Sequence, residues 1–226
     1  MEGSGLIDCI PQTGKCPHNC DSCFYNNGFY RTLDEPLIPS VEESEGRIVR
    51  VNSGHDSALQ KDLVLKATEL YHDKFYNTST TDLDFPAPVV MTANPARLTD
   101  KGFHKIENPP KNLMFVRARV NLWNVKLVAD ICYWYSQREV PVVLTYMRYS
   151  YIESIPETCR GKYDLKSHII NSYYSLPYQV EFKDYLWYSS MYPHIYYCGS
   201  YFSSSCRTCG NCLREYYATK ERITDK

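Results

Sequence analysis

Residues 113–146 read Leu113-Met-Phe-Val-Arg-Ala-Arg-Val-Asn-Leu122, Trp-Asn, Val125-Lys-Leu-Val-Ala-Asp-Ile-Cys132 and, after eight intervening residues, Pro141-Val-Val-Leu-Thr-Tyr146. The first run alternates, with Val116, Ala118, Val120 and Leu122 on one face and Arg117, Arg119 and Asn121 on the other, as a strand requires. Val125, Val128, Ala129 and Cys132 then recur at helical spacing, and the third run is short, apolar and β-branched. Strand, helix and strand in 34 residues make a βαβ unit, and such a unit requires a parallel pair. A row of polar groups on an otherwise apolar strand predicts a lined cavity; a solvent-facing edge strand is the alternative.

The same rhythm extends outward. Residues 6–10 read as a strand, and Arg47-Ile-Val-Arg-Val-Asn52 alternates as a second. Ser57-Ala-Leu-Gln60 predicts a capping box opening a helix with Leu59, Leu63, Ala67, Leu70 and Tyr71 on one face. Pro88-Val-Val-Met-Thr92 is a third strand, residues 194–198 a sixth, and a helix is expected near residues 164–174. The fold class is α/β. About six such units are too few for a closed eight-stranded barrel, so an open, partial barrel is expected over a flat doubly wound sheet. In either case ligand chemistry belongs at the carboxyl ends of the strands. The expected organisation is a core over residues 1–197 and a cysteine-rich appendage over residues 198–226.

The 226 residues are 43% apolar, with charges mixed to a net −1, an ordinary globular composition. A clear basic excess is absent, which argues against extended nucleic-acid binding. The opening MEGSGLIDCIPQTG lacks a signal pattern, and no apolar run reaches the roughly 18 residues of a membrane helix. The expectation is a cytoplasmic protein. In that reducing setting, clustered cysteines point to metal or redox chemistry rather than disulfides. Seven of the ten cluster: Cys16, Cys20 and Cys23, and Cys198, Cys206, Cys209 and Cys212. Cys132, on an apolar helix face, suits core packing. The 21 tyrosines, dense from Tyr173 to Tyr217, suit either core packing or contact with a base or peptide.

Cys16-Pro-His-Asn-Cys20-Asp-Ser-Cys23 has the spacing C-x3-C-x2-C. Three thiolates can each hold one iron of a cubane and leave the fourth iron open to a ligand. A zinc site is the alternative and would need a distant fourth ligand such as His18 or His55. This loop, after the first strand, resembles the signature of the radical S-adenosylmethionine superfamily. The resemblance implies a partial (β/α)6 barrel. It further implies a 4Fe–4S cluster whose open iron is chelated by S-adenosylmethionine. One-electron cleavage of that cofactor would yield a 5′-deoxyadenosyl radical that abstracts a substrate hydrogen. A reductant such as flavodoxin or ferredoxin is implied as partner. The family's Gly-Gly-Glu-like turn after the second strand falls on Ser53-Gly54-His55-Asp56, which keeps one glycine and one acid. The resemblance thus assigns the cofactor to Asn52, Gly54, His55 and Asp56, and to Arg119 and Asn121 on the later strand. An ordinary strand-to-helix turn capped by Asp56 or Ser57 is the other reading. The aromatic residue that the family often carries before its last cysteine is Ser22 here.

Cys206-Arg-Thr-Cys209-Gly-Asn-Cys212 is C-x2-C-x2-C, a ferredoxin-like spacing, with Cys198 eight residues before it. Four thiolates would close the site around a second 4Fe–4S cluster or a structural zinc, and Gly199 and Gly210 permit the tight turns. Peptide-modifying radical enzymes often carry auxiliary clusters at this end, so the resemblance favours a peptide or protein substrate, with a small molecule or nucleobase as the alternative. A non-enzymatic zinc or iron–sulfur interaction protein is the alternative from another class.

Overall fold

The computed structural model describes residues 5–18, 34–95, 102–167, 172–203 and 209–225. Seven strands form one sheet in strict chain order: β1 (Leu6–Cys9), β2 (Ile48–Val51), β3 (Lys74–Thr78), β4 (Val89–Thr92), β5 (Leu113–Val120), β6 (Val142–Tyr146) and β9 (Ile195–Tyr197). Every neighbouring pair is parallel. A doubly wound sheet reverses its order; this one does not. Right-handed crossovers between sequential parallel strands are expected to put their helices on one face. There α2 (Lys61–Ala67), α3 (Val125–Ser136) and α5 (Tyr178–Met191) pack against the apolar residues of that face. Leu127, Val128, Ile131, Cys132 and Tyr135 of α3 are buried, so Cys132 is a core residue.

Three elements differ from expectation. β3 did not register in the sequence. The helix expected from Ser57 begins only at Lys61, after Gln60 in the left-handed region (φ 55°). Ser57 instead donates its N–H to the Asn77 carbonyl (3.0 Å), which pins the turn to β3, and the shortened helix buries Val64 while Leu63 and Leu70 face solvent. The helix expected near residues 164–174 is an antiparallel pair, β7 (Asp164–Ser167) and β8 (Ser172–Ser175). Paired backbone bonds between Tyr149 and Tyr174 draw β8 against the end of β6, a tertiary demand that overrides local propensity. The short helices α1 (Val41–Ser44) and α4 (Glu157–Arg160) complete the connections.

The other face carries Leu6, Ile48, Phe75, Val90, Phe115 and Val143 at its amino-terminal end, covered by α6 (Asn211–Thr224). Tyr216 is buried against them and donates its hydroxyl to Asp73 (2.9 Å); Arg222 donates to the Lys111 carbonyl (2.9 Å). Each fully buried large apolar side chain here stabilises by about 1.5–3 kcal/mol. Within the segment expected as a cysteine-rich appendage, Tyr216 and the partly buried Cys212 and Leu213 thus pack on this cluster.

The first turn of α6 also touches both sheet edges. Asn211 Nδ2 donates to the Tyr197 carbonyl of β9 (2.8 Å), and Leu213 lies so close to Gly5, just before β1, that a Cβ there would sit 3.3 Å from its Cδ1. The edges flank a single helix, about 10–12 Å across. A flat seven-stranded sheet would hold them about 29 Å apart. The sheet is therefore strongly curved, with α6 on its inner side. No helix among the described residues is long and apolar enough to cross a membrane.

Candidate cofactor and metal site

Above α6, the inner face turns polar. Asn77 of β3, Thr92 of β4, and Arg117 and Arg119 of β5 line a small open cavity of about 70 Å³ at the carboxyl ends of these strands, and Cys16, His18 and residues 52–56 close its side. Asn77 Nδ2 donates to the Val51 carbonyl (2.8 Å), leaving Oδ1 to accept from Arg117 (3.2 Å). Arg119 is held by its own backbone, between the side chains of Asn94 (2.9 Å) and Asn124 (3.0 Å), and its guanidinium donates to the Pro95 carbonyl (3.0 Å). No carboxylate pairs with Arg119 among the described residues, so the cavity offers positive charge to a ligand.

The turn after β2 grips the beginning of the cysteine loop at three points. Gln12 Nε2 donates to the carbonyls of Asp56 (3.1 Å) and Leu59 (2.8 Å). His55 Nε2 donates to the Gly14 carbonyl (2.9 Å), and His18 Nε2 lies 3.0 Å from Asp56 Oδ2. Two backbone bonds between Ile10 and Leu37 clamp the stem of this long connection. Cys16 is thereby fixed at the cavity wall. Cys20 and Cys23 lie outside the described residues.

The expected cofactor residues divide. Asn52, Gly54, His55, Asp56 and Arg119 all line the cavity. Asn52 adopts the left-handed conformation (φ 58°) that Asn tolerates, and it is 1% exposed. Its Nδ2 donates to Ser57 Oγ (3.1 Å), while its buried Oδ1 has no partner. Asn121 stands apart. β5 ends at Val120, the alternation ends with it, and Asn121 turns away to hold the next turn: its Oδ1 accepts from the Trp123 N–H (3.1 Å) and its Nδ2 donates to Tyr149 (3.3 Å). The expectation that it shares the face of Arg117 and Arg119 is corrected. Asn77, Thr92, Thr78 and Ser79 were missed, although the aromatic and β-branched run Phe75-Tyr-Asn-Thr78 carried a strand signal.

Two cysteines of the second group, Cys198 and Cys212, lie on the same side. Arg119 pairs with Thr145 and Val143 with Tyr196, so Cys198, two residues beyond Tyr196, shares the inner face. Gly199 is required there, since a Cβ would lie 2.8 Å from Tyr197 Cζ and 2.9 Å from the Ser203 carbonyl. Gly210 (φ 64°) opens α6, and the Asn211–Tyr197 bond brings Cys212 towards Cys198; both pack on the inner core cluster. Cys206 lies outside the described residues. Among the described residues no three His, Cys, Asp or Glu side chains gather around one point, and each expected ligand set has a member beyond them.

Behind the sheet, Arg148 meets Glu181 in a fully buried pair (2.9 Å), and the Tyr197 hydroxyl donates to the same carboxylate. Burial alone would weaken the proton affinity of Arg148, but Glu181 outweighs it and holds the guanidinium above its ordinary range. Asp184 nearby is pushed up by burial, and a hydrogen bond from Tyr146 (2.6 Å) opposes the shift. Most of the tyrosines thus serve the core. Comparisons of the chain with family models, curated proteins and solved structures find no match.

Proposed function

We propose that the chain is a radical S-adenosylmethionine enzyme built on an open, partial barrel of the (β/α)6 type with a seventh parallel strand, acting on a peptide or protein. The observation that carries the reading is the position of Cys16: it lines a cationic, amide-rich cavity at the carboxyl ends of parallel strands, directly beside the turn after β2. The strict strand order and the closeness of the two sheet edges support the barrel. Cys16, Cys20 and Cys23 would hold a 4Fe–4S cluster.

The donor set of the cavity fits the cofactor. Arg119 would bind the carboxylate of S-adenosylmethionine, and the orphaned Asn52 Oδ1 would accept from its amino group. Gly54 would let the backbone approach closely. When bound, cluster and cofactor supply one-electron sulfur–carbon cleavage and a 5′-deoxyadenosyl radical for hydrogen abstraction. The chain's own part is to hold the cofactor's charged ends and fix the loop that carries the thiolates. Cys198, Cys206, Cys209 and Cys212 would hold a second 4Fe–4S cluster or zinc, and a flavodoxin or ferredoxin would supply electrons in the cytoplasm.

Metal analysis of anaerobically reconstituted protein tests this. About eight irons per chain are expected, or about four irons and one zinc if the second site is a thiolate zinc centre. With dithionite and S-adenosylmethionine, 5′-deoxyadenosine should form. Colourless protein that binds only zinc and releases no 5′-deoxyadenosine would overturn the reading in favour of a non-enzymatic interaction module. Gly54→Val should retain iron and lose at least about tenfold in cofactor affinity by titration, since a branched side chain would occupy the cofactor's approach. Unchanged affinity would return this turn to an ordinary strand-to-helix connection.

A further inference from the structure

We infer that Asp56 is a positioning residue for the cysteine loop and not a ligand of the cofactor; the inference rests on the reading of Cys16, Cys20 and Cys23 as cluster ligands. An ionised carboxylate offers about four lone-pair sites. Asp56, 2% exposed, already meets five donors. Oδ1 accepts from the Ala58 N–H (2.9 Å) and the Thr78 hydroxyl (2.8 Å). Oδ2 accepts from the Ser79 N–H (2.7 Å) and hydroxyl, and lies 3.0 Å from His18 Nε2. A cofactor ammonium would find no vacant acceptor site on this carboxylate.

The five donors come from three places. Ala58 belongs to the turn after β2, Thr78 and Ser79 to the end of β3, and His18 to the cysteine loop, two residues from both Cys16 and Cys20. The carboxylate therefore joins two strand ends that form the cavity wall to the stretch of chain between the first two thiolates. Bonds to an ionised acceptor are about twice as strong as neutral ones. Partners that orient metal ligands from behind typically change metal affinity by about 10–100-fold. His18 is the link specific to the loop: its side chain is 31% exposed, so changing it alters the tether without opening the core.

The test uses the full chain, reconstituted anaerobically, as parent, His18→Leu, His18→Gln and Asp56→Asn. Iron of the first group is defined as that lost in a variant with Cys16, Cys20 and Cys23 all replaced by Ala. Three quantities are read: its release rate to a chelator, the electron paramagnetic resonance of the reduced cluster, and the melting temperature of the iron-free protein. His18→Leu should release this iron at least about tenfold faster with an altered spectrum and an unchanged iron-free melting temperature. His18→Gln, whose amide can still donate to Asp56, should restore the parental rate to within about threefold. Asp56→Asn should resemble His18→Leu or exceed it. Parental release in His18→Leu, or equal release in the Leu and Gln variants, overturns the inference. So does an Asp56→Asn protein that keeps its iron and loses only cofactor affinity, the behaviour of a ligand. If iron-free Asp56→Asn does not fold, the His18 pair decides. A parent with no more iron than the triple-Ala protein overturns the cluster reading itself, and the positioning role with it.

Discussion

Replacing Cys16, Cys20 and Cys23 together by Ala should reduce 5′-deoxyadenosine formation by more than about a thousandfold, to background, well beyond the 10–100-fold typical of outer-shell partners. Each thiolate would hold one iron, so no subset of two can rebuild the site. The fold should survive, because Cys16 sits on a half-buried loop outside both apolar clusters, unlike Cys9 and Cys132. Quantifying 5′-deoxyadenosine after reduction, with circular dichroism on the same samples, checks both halves of the claim. Cys159→Ser is the control: its thiol lies in the helix α4, and its product yield should match the parent. Product from the folded triple variant would end the assignment of the loop. Loss of product in Cys159→Ser as well would point to general thiol damage rather than to a ligand set.

The parallel sheet was legible because β5, α3 and β6 carry unbroken periodic signals. Their inward and outward residues differ in kind, so alternation could be read without knowing the partners. β3 escaped for the opposite reason. Asn77, the fourth of its five residues, faces the cavity, and the polar residue that makes the strand useful also cuts its apolar run short. The same conflict made Arg117 and Arg119 visible on β5 only because that strand is eight residues long. The arginine row was correctly read as cavity-lining, but its extension to Asn121 failed where the strand stopped.

Other features depend on contacts that no local pattern encodes. Asp56 stood out as an acid near a glycine, yet its partners lie at residues 18, 78 and 79. The covering helix α6 lies within a stretch that the sequence marked chiefly by its cysteines, and its apolar side is short: Leu213 and Tyr216 meet the sheet while Tyr217 faces solvent. Its role is set by the curvature of the sheet, which leaves the inner face needing cover and brings β1 and β9 to the two sides of one helical turn.

The largest stability effect is expected at Glu181. Its carboxylate, fully buried, takes one bond from Arg148 and another from Tyr197, and Arg148 lies about 6 Å from the rings of Tyr173 and Tyr178. One charge pair thereby fastens the end of β6, the strand β8, the start of α5 and the strand β9. Glu181→Ala leaves the Arg148 cation buried without its counter-ion, a change that costs about 3–5 kcal/mol. For a chain of this size that is a fall in melting temperature of roughly 6–20 °C, which thermal unfolding by circular dichroism would register. The pair itself contributes much less than this, because both charges gave up hydration to enter the core. Replacing both partners, Arg148→Met with Glu181→Leu, should therefore recover most of the loss. A Glu181→Ala protein that melts within about 2 °C of the parent would show that Arg148 reaches solvent when its partner is removed. A double variant no better than the single one would show that the tyrosine contacts of Arg148, rather than its charge, hold these four elements together.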